Sequence, residues 1–255
     1  MKSRVPILLG LAVLIGAYAL AWHGHKVASE TNDTNGNGQM QMSGPLERPV
    51  YGGKLKYLAL GDSYTIGESV AAGDRWPMQL AAKLRQESVD MSDPVIIART
   101  GWTTGDLANA MDKANLKEEF DLVTLMIGVN NQFQGKSEEE YRGQFGQLLK
   151  RSIDLAKGDV KHVIVLSIPD WTVTPFGAHY DVKRMSAEVD RFNVICREKT
   201  AKTAAVYVDV TPMSRQVASQ ADLVAEDGLH PSGKQYAAWV SLIDLAALKS
   251  ELVSK

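Results

Sequence analysis

Leu55-Lys56-Tyr57-Leu58-Ala59-Leu60-Gly61-Asp62-Ser63-Tyr64-Thr65 is the stretch whose reading decides the fold. A short apolar run, Leu55–Leu60, leads into glycine, aspartate and serine. Runs this short and this apolar suit strands buried on both faces of a parallel sheet. Four more follow: Val95–Ala98, Leu122–Ile127, Val163–Ile168 and Val206–Val210. Helical patterns lie between them. One begins near Ser137, where Ser137 and Glu140 form a capping box, and carries Tyr141, Phe145, Leu148 and Ile153 at helical spacing. The last follows Ser232, with Tyr236, Val240, Ile243 and Ala247 on one stripe. This alternation predicts one three-layer α/β/α domain with a mainly parallel five-stranded sheet. The flavodoxin-like strand order 2-1-3-4-5 is the expected one.

Outward from that domain the character of the chain changes. Residues 23–53 are polar and rich in Asn, Gly, Ser and Gln, which reads as a linker between residues 1–21 and a domain spanning 54–255. His23 and His25 supply too few ligands for a metal site, and Asn32-Asp33-Thr34 is a glycosylation sequon. At the start, Lys2 and Arg4 precede an uncharged apolar run from Val5 to Ala21, ending in Ala19-Leu20-Ala21 before Trp22. That pattern predicts a signal peptide, with an uncleaved membrane anchor as the alternative. Either way a secreted or periplasmic protein is expected, with membrane association only if the segment is retained.

Composition excludes several function classes. Lys+Arg total 28 against Asp+Glu 30, for a formal net charge of −2, and no basic run marks a nucleic-acid surface. The single cysteine, Cys196, permits no internal disulfide, and its neighbours Met185, Val189 and Phe192 at helical spacing make it a buried small hydrophobe. No His/Asp/Glu/Cys cluster has metal-ligand spacing, so neither metal nor cofactor is expected. The first loop lacks a Gly-x-Gly-x-x-Gly run, which argues against a dinucleotide or flavin binder.

Ligands of open α/β sheets bind beyond the carboxyl ends of the strands. Gly61-Asp62-Ser63, Arg99-Thr100-Gly101-Trp102 and Gly128-Val129-Asn130-Asn131 each follow a strand there, and Asp227-Gly228-Leu229-His230-Pro231 comes after the fifth. These are the parts for acyl transfer. Ser63 is a nucleophile once a base takes its proton, His230 is the candidate base, and Asp227 would hold its ring in the right tautomer and stabilise the imidazolium. The backbone N–H groups of Ser63 and Gly101 and the amide of Asn130 are available as an oxyanion hole. His179, with Asp181 nearby, is the next candidate base; His162 precedes the fourth strand, at the wrong end of the sheet.

In chain order these segments resemble the four blocks of the SGNH (GDSL-type) hydrolases, whose invariant members are Ser, Gly, Asn and His. The likeness spans roughly residues 55–235. It implies the SGNH fold, a Ser63–His230–Asp227 triad, Gly101 and Asn130 in the oxyanion hole, and no cofactor. Asn131 departs from the aspartate many members carry. The stretch Pro169–Phe176 resembles a loop of lysophospholipase-like and esterase-like members, which implies small or lipid carboxyl esters. Tyr64, Trp102, Trp171 and Phe176 would either line an acyl pocket or pack the loops. Two other functions fit the same cleft: removal of O-acetyl groups from carbohydrate, and non-catalytic binding of a lipid or sugar.

Overall fold

The computed structural model describes residues 51–254. Five strands form a parallel sheet: β1 Tyr57–Asp62, β2 Val95–Arg99, β3 Leu122–Met126, β4 Val163–Leu166 and β5 Val206–Val208, in the order β2-β1-β3-β4-β5. All six residues of the interior strand β1 are buried, and so are all of β3 and β4, as strands covered on both faces require. The edge strand β5 is half open to solvent.

The helices are α1 Ser63–Ile66, α2 Trp76–Gln86, α3 Thr104–Ala114, α4 Val129–Phe133, α5 Glu138–Leu155, α6 Val182–Thr203, α7 Thr211–Ser214, α8 Gly233–Ser241 and α9 Leu245–Val253. α3, α5 and α6 pack side by side, while α2 packs on α8, giving the helix layers on either side of the sheet. Cys196 is fully buried on α6 behind Met185, Val189 and Phe192, and burial pushes its thiol pKa far up.

Two local details differ from the sequence reading. The expected final helix is two helices. Leu242 ends α8, and Asp244 opens α9 by accepting the Ala247 N–H at 3.0 Å. The buried stripe then continues through Leu248 and Leu252, and Ala247 is exposed. At Ser137 only half a capping box forms, since Glu140 accepts from Gln144 instead. A complete box sits at Thr103 and Asp106. The Tyr51 N–H reaches Asp93 Oδ2 at 3.0 Å, and its ring lies under Arg85. The leader, the sequon, His23, His25 and nearly all of the linker lie outside the described residues. Among the described residues, no helix is long and apolar enough to cross a membrane.

Candidate active site

Parallel register brings the ends of β1, β2 and β3 level: Asp62 lies beside Arg99, and Gly61 beside Met126. The loops that follow therefore leave the same edge. Ser63 is the first residue of α1, only 4% exposed. Asp62 caps that turn by accepting the Tyr64 N–H at 3.0 Å through Oδ1, while its Oδ2 is buried without a hydrogen-bond partner. Burial outweighs the Tyr64 hydrogen bond and pushes the Asp62 pKa up to about 7.

After β2, Gly101 takes φ 83°, a left-handed turn that glycine adopts without strain. After β3, Gly128 takes φ 135°, and a Cβ there would sit 2.6 Å from the Tyr141 ring. The two loops are tied together. Asn130 Nδ2 donates to Trp102 O at 2.9 Å, which leaves its second N–H without an acceptor among the described residues. Asn131 is fully buried; its Oδ1 accepts the Thr104 N–H at 2.9 Å, and its Nδ2 donates to Thr104 Oγ1 at 2.7 Å. The residue that departs from the family pattern thus clamps the start of α3 to α4, a duty its sequence position did not reveal.

The loop after β5 is longer. It closes on itself through Ala225 N to His230 O at 2.8 Å and a bridge between Val224 and Pro231. Within it, Asp227 Oδ1 accepts the N–H groups of Leu229 and His230 at 2.9 Å each, and Asp227 Oδ2 meets His230 Nδ1 at 2.6 Å. Ser69 Oγ also donates to Oδ2, at 2.7 Å. Burial would raise this carboxyl's pKa, but the hydrogen bond and charge of His230, with the Leu229 N–H and Ser69, hold it well below the usual range. His230 is 2% exposed, and its ring lies 5.2 Å from that of Tyr64. With Nδ1 bonded to Asp227, Nε2 is the nitrogen left for proton transfer.

The structure separates the other candidates. His179 is exposed, and Asp181 caps α6 through the Arg184 N–H rather than pairing with it. His162 is buried near Glu251 and Asp159, at the opposite end of β4. Among the described residues no group of three or more His, Cys, Asp or Glu side chains has metal-holding geometry.

Aromatic side chains gather between the Asn130 arm and the Asp227 loop. Phe133, Trp171, Phe176 and Tyr180 lie with ring centroids 5.2–6.3 Å apart. Phe176 N donates to Gly228 O at 3.0 Å, and Trp171 Nε1 to Gln132 Oε1 at 2.9 Å. Trp171 is 2% exposed and packs the loop, whereas Phe133 and Tyr180 are 40% and 37% exposed. Phe133, on α4 rather than on the aromatic loop, had been missed in the sequence.

A lipase/acylhydrolase of Enterococcus faecalis shares the fold at TM-score 0.61 with 19% identity, over 77% of this chain and 96% of that one. An α/β hydrolase from the metagenome of Lake Arreo, Spain, gives TM-score 0.58 at 23% identity over 77% and 95%. An acetylxylan esterase of Geobacillus stearothermophilus gives 0.57 at 20% over 80% and 96%. No curated protein matches the chain. The profile of the GDSL-like lipase/acylhydrolase family matches residues 59–238, from inside β1 to inside α8. The chain belongs to that family and is a carboxylic ester hydrolase.

Proposed function

We propose that the protein cleaves carboxyl esters through an acyl-enzyme on Ser63. His230 Nε2 takes the hydroxyl proton as Oγ attacks the carbonyl carbon. Asp227 holds the ring in the tautomer that leaves Nε2 basic, and its charge stabilises the imidazolium. The oxyanion of the tetrahedral intermediate is received by the Ser63 and Gly101 N–H groups and the remaining N–H of Asn130. Collapse expels the alcohol, which takes its proton from His230; water then repeats the sequence and releases the acid. The observation that carries this reading is the 2.6 Å Asp227–His230 pair, held by two further backbone bonds on the edge where Ser63 begins α1.

The exposed faces of Phe133 and Tyr180 favour esters with an apolar acyl or alkyl group, small or lipid-like. The basic start and apolar run of residues 1–21 favour an exported enzyme. A fluorophosphonate probe should label the wild type covalently and leave Ser63→Ala unlabelled; labelling that persists in the variant would refute the assignment. Rates on p-nitrophenyl esters of rising chain length, lysophospholipid and acetylated xylan, with Ser63→Ala as blank, test the substrate. Faster release of acetate from xylan than turnover of any apolar ester would replace the apolar-ester reading with a carbohydrate one.

A further inference from the structure

The turn after the nucleophile does more than end α1. Gly67 and Glu68 both donate their N–H groups to Ser63 O at 3.0 Å. The next side chains then reach two different loops. Glu68 Oε2 accepts from Thr100 Oγ1 at 2.5 Å, beside Gly101. Ser69 Oγ donates at 2.7 Å to Asp227 Oδ2, the same oxygen that meets His230 Nδ1. One three-residue turn thus touches the serine, the oxyanion loop and the acid.

Ser69 takes φ 64°, in the left-handed region where a serine is strained and glycine is not, as do four other non-glycine residues among those described. Its bond sets it apart. Among the described residues, its hydroxyl makes the one bond to Asp227 that comes from outside the 227–230 loop. The other three all move with that loop.

We propose that Ser69 is a positioning residue of the active site, its hydroxyl fixing Asp227, and through it the His230 ring, relative to the nucleophile turn. This rests on the triad reading above. Without the hydroxyl the carboxylate is anchored only by its own loop, so the ring's aim at Ser63 loosens.

Ser69→Gly and Ser69→Ala, made in the full chain, separate strain from hydrogen bonding. Both lose the hydroxyl, but only glycine relieves the backbone. Both should lose roughly tenfold in kcat with KM little changed, while Ser69→Gly melts above Ser69→Ala. A wild-type kcat in Ser69→Gly would overturn the proposal, even with Ser69→Ala impaired, because strain alone would then explain the alanine result. Fluorophosphonate labelling of the wild type runs alongside. An unlabelled wild type sinks the triad reading and this proposal together; a labelled wild type with an unaffected Ser69→Gly sinks this proposal alone.

Discussion

Replacing Asp62 with asparagine exchanges a buried carboxyl for its neutral isostere, one residue ahead of Ser63. Oδ1 can keep its bond from the Tyr64 N–H, while Oδ2, which has no partner, becomes an amide nitrogen. Asp62 titrates near 3.8 when unfolded and at about 7 when folded. A pKa raised by folding makes a contribution to stability that is fully present below the unfolded value and is lost as pH rises through the folded one. At about 1.4 kcal/mol per pKa unit, ionising Asp62 in place costs the fold about 4 kcal/mol above pH 7, of which about 2–3 kcal/mol accrues between about pH 5 and pH 8. Urea unfolding of the wild type and Asp62→Asn at those two pH values should show the variant's advantage growing by that amount. A gap between the two proteins that stays the same from acid to alkaline pH would refute the reasoning, because Asp62 would then carry the same charge throughout.

Two other substitutions probe the loops that carry the proposed oxyanion donors. Asn131→Ala removes two buried hydrogen bonds to Thr104 and should cost about 2–3 kcal/mol, read as a lowered Tm; an unchanged Tm would mean the α3–α4 clamp bears no load. Gly128→Ala forces a Cβ to within 2.6 Å of the Tyr141 ring at φ 135°, and should cost about 3 kcal/mol or more, seen as a large fall in Tm or loss of soluble protein. A Gly128→Ala protein that melts like the wild type would show that Tyr141 can yield.

The sheet was legible because buried parallel strands announce themselves as short apolar runs, and their order follows from how crossovers pack. Helix boundaries were less so. Tyr236, Val240 and Ile243 continue one stripe across the break before α9, so periodicity concealed what the Asp244 cap reveals. The Asp227–His230 pairing lies within four residues and could be read locally. Ser69 to Asp227 and Glu68 to Thr100 could not, because they join residues distant in the chain that carry no motif. The aromatic group was half visible: its loop stood out, but whether Trp171 packs inward and Phe133 faces outward depends on the placement of α4.

The strand order has a consequence for how the enzyme wears out. Ser63 follows β1, a strand with neighbours on both sides, whereas His230 sits in a loop held by only a few hydrogen bonds. Local opening of such a loop requires far less free energy than opening the sheet. Warming should therefore displace His230, the proposed base, while the strand that carries Ser63 is still intact, so working lifetime is set by a short segment rather than by the core.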